Sequence, residues 1–237
     1  MPHRSRTQFT LATVLGLVGI AAVALLDVHP AGAAESFAVP APAVDEQAPA
    51  AGTETAVLAG GCFWGVQGVF QHVRGVTQAE SGYAGGAAET AHYETVGTGS
   101  TGHAEAVRIT YDPTQVTYGR LLQIYFSVVT DPTQLNRQGP DVGSQYRSAI
   151  FTQNADQQRV AQAYIAALSQ AGVFPAPIVT RVEPNTGFFP AEGYHQNYLD
   201  LHPTSAYIAM NDMPKVADLA RLFPLRYRDQ PVLVSVA

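Results

Sequence analysis

The residue in this chain best suited to chemistry is a cysteine placed between a strand and a helix. Cys62 is the only cysteine among 237 residues, and it stands in Gly60-Gly61-Cys62-Phe63-Trp64-Gly65. Before it lies an apolar run, TAVLA at 55–59, and after it apolar positions at 66, 69, 70 and 73 fit one face of a helix. Backbone N–H groups and the helix dipole at such an N-terminus favour an anion, so the thiol pKa is expected to fall and the thiolate to act as a nucleophile. The glycines let the backbone approach closely, and Phe63-Trp64 offers an apolar wall. The competing reading is a small hydrophobe packed in a core, the ordinary place of a lone cysteine.

Three further clusters carry polar chemistry. Gly102-His103-Ala104-Glu105-Ala106-Val107 puts a glutamate at the head of a strand among apolar neighbours. Burial there raises a carboxyl pKa and suits it to general-acid work, although a plain edge glutamate has the same local sequence. The H-x-E spacing is also that of zinc deaminases, but those need a later pair of cysteines that this chain lacks, so no metal is expected. Residues 136–147, NRQGPDVGSQYR, form a polar, glycine-rich loop running into a strand, which fits either a binding loop or a turn whose Asp and Arg only cap and pair. In EGYHQNY at 192–198, His195 fits a base, a substrate contact or a structural hydrogen-bonder.

The elements that must position these residues alternate in type. Strands are expected at 55–59, 105–111, 148–152 and 178–182. Helices are expected at 64–72, 121–129, 156–171 (closed by Gly172), 195–201 and 215–223. Interleaved strands and helices give an α/β or α+β domain of two layers, and the roughly 180 residues from Thr53 onward suffice for one core.

Composition narrows the setting. With 13 Lys+Arg against 19 Asp+Glu and a single lysine, Lys215, there is no basic stripe for nucleic acid. Arg4 and Arg6, the uncharged run 9–26 and the small-residue site Ala31-Gly32-Ala33 read as a signal peptide over 1–33, so export to the periplasm or beyond is expected. The membrane is involved only if that leader is retained as an anchor. Cleavage leaves 11 cations against 18 anions. An oxidising compartment favours paired cysteines, which makes an unpaired one there a hazard unless it is buried or used. Residues 34–52, rich in Ala and Pro, read as a flexible linker, 53–224 as the folded domain and 225–237 as a C-terminal tail.

The motifs together resemble one family. GCFWG, SGYAGG at 81–86, HYETV at 92–96, TGHAEAV at 101–107, NRQGPDVGSQYRSAIF at 136–151 and EGYHQNYL at 192–199 are similar, in order, to peptide methionine sulfoxide reductases of type A. The resemblance implies a two-layer α/β (α+β) sandwich around a mixed, mainly antiparallel sheet with a ferredoxin-like core. It implies reduction of methionine S-sulfoxide, free or in peptides, with Cys62 as nucleophile and Glu105 as the acid that protonates the sulfoxide oxygen. Tyr93 and Tyr146 would hydrogen-bond that oxygen. Phe63, Trp64, Asp141 and His195 would line or support the substrate site. No cofactor is implied beyond an external thiol. The setting would be oxidative stress and protein repair.

Two features depart from the family's usual pattern. Many members carry resolving cysteines, often near the C-terminus, whereas this chain continues as YIAMNDMPKVADLARLFP. A sulfenic acid on Cys62 would then need an outside thiol, from a thioredoxin-like protein or a small molecule. Thr130 in VTDPTQ stands where members usually have His. A papain-like cysteine hydrolase is the competing enzyme, since His195 lies 133 residues after Cys62, but its local cysteine signature is missing. A non-catalytic exported module binding thioethers or peptides is the third reading. A monomer is expected.

Overall fold

The computed structural model describes Met1, residues 36–46 and residues 52–235. Apart from Met1, the expected signal peptide lies outside the described residues. The chain divides into units Met1–Ala33 and Ala34–Ala237, and every helix and strand among the described residues belongs to the second.

The sequence begins its fold with β1 (Glu54–Gly60), α1 (Phe63–Gln71) and β2 (Val76–Ala84). After a short helix α2 (Tyr93–Val96) come β3 (Ala104–Tyr111) and α3 (Tyr118–Ile124), which runs on as a π-helical turn, Tyr125–Val129. A small ribbon, β4 (Arg137–Gln138) and β5 (Asp141–Val142), precedes β6 (Ser148–Thr152) and the long helix α4 (Ala155–Gln170). The chain closes with β7 (Arg181–Pro184), β8 (Phe188–Pro190), α5 (Tyr198–Leu201) and α6 (Met213–Leu222).

The main sheet runs β7-β6-β1-β3-β2-β8, with β6 and β7 parallel and every other pair antiparallel. Its middle four strands, β6-β1-β3-β2, with α1 and α3 as crossovers, are the ferredoxin-like core that the resemblance implies. Side chains alternate across the sheet. Leu58, Val107, Ile109, Tyr111 and Ile150 point into the large core beneath α1, α3 and α4, while Val57, Ala59, Ala104, Ala106 and Ala149 form a thinner layer on the other face. Glu105 shares the parity of Val107 and Ile109, and this carries its carboxyl to the helix side.

Several elements differ from expectation, the short α2, β4, β5 and β8 among them. The strand expected at 178–182 forms at Arg181–Pro184, where β7 reaches the register of β6. β2 was not foreseen. Its sequence, VTQAESGYA, mixes polar residues with glycine, and a bulge between Val76 and Gln78 breaks its alternation.

The stretch expected to be a flexible linker over 34–52 is packed against the domain over 36–46. Val39 is 1% exposed, donates its N–H to Ser127 Oγ (3.1 Å) and accepts at its carbonyl from Gln123 Nε2 (2.7 Å). Tyr164 donates its hydroxyl to the Pro40 carbonyl, and Asp45 accepts the Gly119 N–H at 2.8 Å in the first turn of α3. An extended Ala/Pro segment shows no periodicity, yet its carbonyls and one valine are enough to dock it. The tail docks as well. Arg228 and Val232 donate their N–H groups to the carbonyls of His72 and Gln71, and Val234 exchanges two 2.9 Å bonds with the Asn197 side chain.

Candidate active site

Cys62 is the N-cap of α1 and is 9% exposed, at the end of the turn Gly60-Gly61. The turn is held from behind: Tyr125 donates its hydroxyl to the Ala59 carbonyl at 2.8 Å. Gly61 has φ +99°, and a Cβ there would fall 2.7 Å from Gln138, so only glycine fits this backbone.

At the head of α1, Phe63 donates its N–H to Glu105 Oε2 at 2.9 Å. Glu105 is 3% exposed, and burial raises its pKa to about 8, against the opposing Phe63 hydrogen bond. The carboxyl is therefore protonated at neutral pH.

The thiol departs from the sequence expectation. Burial pushes its pKa well above the ordinary value, and the charges of Glu105 and Asp212 push it further, against the Trp64 N–H and Lys215. The helix terminus alone argued for a lowered pKa. Desolvation and two carboxyls brought in by other elements outweigh it. Cys62 is held as a thiol.

Tyrosines face these two groups. Burial, then Glu105, then Cys62 raise the Tyr93 phenol. For Tyr146 the order is burial, Glu105, Asp141 and Cys62, so both hydroxyls stay protonated donors. Tyr93 is fixed by its own N–H, donated to Glu192 Oε1 at 3.0 Å, and Glu192 also accepts the Tyr83 hydroxyl at 2.8 Å.

Trp64 forms the wall. It stacks on Tyr198 with ring centroids 3.8 Å apart, meets Tyr207 edge-on at 5.9 Å and donates Nε1–H to His195 Nδ1 at 3.1 Å. Because Nδ1 accepts, the proton of neutral His195 sits on Nε2. Burial lowers the His195 pKa and keeps the ring neutral. The ring lies among Phe63, Trp64, Tyr93 and Tyr194 and is itself buried.

The structure thus gathers Cys62, Phe63, Trp64, Tyr93, Glu105, Asp141, Tyr146 and His195 from six separate segments. It adds residues whose local sequence did not mark them out. Tyr207 donates its hydroxyl to Asp141. Asp212, buried, pairs with Lys215 at 3.2 Å over the first turn of α1. The signals for these were the lone lysine and the polar ND within an otherwise ordinary helical segment. A protonated carboxyl, two phenols and a thiol around an apolar wall suit a substrate with a basic oxygen on a soft, methyl-bearing centre.

Comparison with known proteins agrees with that chemistry. The family profile of peptide methionine sulfoxide reductases matches residues 54–224. The peptide methionine sulfoxide reductase MsrA 2 of Mesorhizobium japonicum is 63% identical over 194 residues, covering 82% of this chain and 99% of that protein. MsrA 2 of Synechocystis is 48% identical over 82% of this chain and 91% of its own length. Among solved structures, reduced Mxr1 from Saccharomyces cerevisiae is similar with a TM-score of 0.58 and 31% identity, covering 69% of this chain and 92% of that one. Methionine sulfoxide reductase A of Corynebacterium diphtheriae gives 0.57 and 37%, covering 65% and 77%. On sequence, fold and site alike, the chain belongs to the peptide methionine sulfoxide reductase family, type A, oxidoreductases that act on peptide methionine (S)-S-oxide.

Proposed function

We propose that Cys62 is the nucleophile of this reduction, that turnover passes through a Cys62 sulfenic acid, and that an outside thiol resolves it. One observation carries the reading: Glu105, protonated near neutral pH, is bonded to the N–H of the residue that follows Cys62. A sulfoxide oxygen leaves poorly until it is protonated. Glu105 gives it a proton and takes back the thiol proton as the Cys62 sulfur attacks. The phenols of Tyr93 and Tyr146 hold the oxygen, and Phe63 and Trp64 receive the methyl group. Asp141, bonded to Tyr207, supports the wall.

The balance is simple. Methionine sulfur loses its oxygen and gains two electrons, while Cys62 sulfur loses two and ends as S–OH. No second cysteine is present to form a disulfide within the chain. Two equivalents of an external thiol, a thioredoxin-like dithiol or a small thiol, restore Cys62 and leave a disulfide and water. Arg4, Arg6, the apolar run and Ala31-Gly32-Ala33 support an exported protein, whose role would be repair of oxidised proteins outside the cytoplasm.

Mass spectrometry of the full chain with methionine S-sulfoxide and no reductant tests this. The expected result is one equivalent of methionine per protein, with Cys62 carrying one added oxygen that dimedone traps. A folded protein giving no methionine and an unmodified Cys62 would overturn it.

A further inference from the structure

We propose that Lys215, acting through Asp212, sets the charge at the head of α1 and so tunes how readily Cys62 reacts, a role that rests on Cys62 being the nucleophile. Both residues belong to the C-terminal segment that this chain carries where many relatives place resolving cysteines.

The geometry is specific. Asp212 is 0% exposed and ends the π-helical turn Ile208–Asp212, and Lys215 follows within the first turn of α6. A Cβ on Gly65 would fall 2.1 Å from Asp212 Oδ1 and 3.1 Å from Lys215 Nζ, so the pair rests directly on the first turn of α1. The absence of a side chain at Gly65 is what lets it approach. Three acidic groups, Cys62, Glu105 and Asp212, therefore crowd one helix N-terminus, and Lys215 is the single cation acting on the thiol among the described residues. Asp141 of β5 and the phenols of Tyr93, Tyr146 and Tyr207 complete the ionisable groups around them, with neutral His195 beside Trp64.

A purely structural ion pair would have its buried oxygens satisfied. Here Asp212 Oδ1 pairs with Lys215 Nζ at 3.2 Å, and Oδ2 has no hydrogen-bond partner among the described residues. Lys215 is also the only lysine in the chain, the other twelve cations being arginines. With the pair intact, Lys215 offsets part of the Asp212 charge at Cys62, and the thiol loses its proton when substrate and Glu105 accept it. Without Lys215, the buried carboxylate faces Cys62 alone.

The two partners act on the thiol with opposite sign, and that is the test. The rate of Cys62 alkylation by iodoacetamide is followed from about pH 6 to about pH 11 in the full chain, with sulfoxide reduction measured in parallel. K215M is expected to raise the alkylation midpoint by about one pH unit and D212N to lower it by a similar amount, the usual size of effect for a nearby charge. D212N/K215M should fall between them, and K215R should stay near wild type. Unchanged midpoints, or shifts of the same sign in both single variants, would overturn the proposal, because a merely structural pair would lose stability without moving the midpoints oppositely. If K215M does not fold, D212N decides: a lowered midpoint supports the proposal and an unchanged or raised one overturns it. Alkylation needs no sulfoxide, so failure here in a wild-type protein that still reduces sulfoxide touches only the role of Lys215 and Asp212.

Discussion

At the scale of single residues, Glu105 decides both chemistry and pH response. Its pKa rises from an ordinary 4.5 to about 8 on folding, so the folded state favours the protonated form. The stabilising contribution is complete below about pH 4.5 and is lost as pH rises through about 8. Glu105→Gln removes this dependence. Urea unfolding should show the variant gaining on wild type by on the order of 2–4 kcal/mol between pH 5 and pH 9. The same change removes the proton donor, and sulfoxide reduction at pH 7 should fall by about 10²–10⁴-fold, the usual worth of general-acid catalysis. In wild type, reduction should decline above about pH 8 as Glu105 ionises. Initial rates across pH 6–10 check this. The carboxyl was only half legible in the sequence, because its apolar neighbours at the head of a strand fitted a buried acid and an edge glutamate alike. The sign of the thiol shift was not legible at all. It depends on Glu105 and Asp212, which lie 43 and 150 positions from Cys62 and act only once the chain is folded.

At the scale of elements, the site is a junction held under constraint. β1 delivers Cys62 through Gly60-Gly61, and the ribbon β4–β5 closes on that turn from the side of Gln138. Gly61→Ala would force a side chain into a backbone at φ +99° and against Gln138 at 2.7 Å. Thermal and urea unfolding should show a loss of about 1–3 kcal/mol. Reduction should fall further than stability does, because the turn aims the thiol. Most of these elements could be read from the sequence where apolar periodicity was strong, as in β1, β3, β6 and α4. β2 could not. Its inner face is built from Val76, Ala79 and Tyr83 across a bulge, an i, i+3, i+7 spacing that reads as a helix face and not as a strand. α6 was legible as a helix, but nothing local showed that its first turn would lie on α1.

At the scale of the whole molecule, both ends of the second unit are tied to its body. The segment 36–46 runs along α3 and α4, and the tail along the end of α1 and the start of α5. Val39→Asp would place a charge where 1% of the residue meets water and should cost at least about 3 kcal/mol. Differential scanning calorimetry would register it as a lowered Tm. Val39→Ala should cost about 1–2.5 kcal/mol, with activity per folded molecule unchanged. Composition hid this docking, because Ala and Pro say little about partners and the contacts run mainly through backbone groups.

The packing of Val39 bears on where this protein can safely be cut. The match to the family profile starts at Glu54. The hydrophobic interior starts at least fifteen positions earlier, at Val39. Expression beginning at Glu54 would remove Val39 from the interior, take the Pro40 carbonyl from Tyr164, and cost Ser127 Oγ and Gln123 Nε2 their bonds to Val39. A start at Ser36 keeps Val39 and the interior it fills in place.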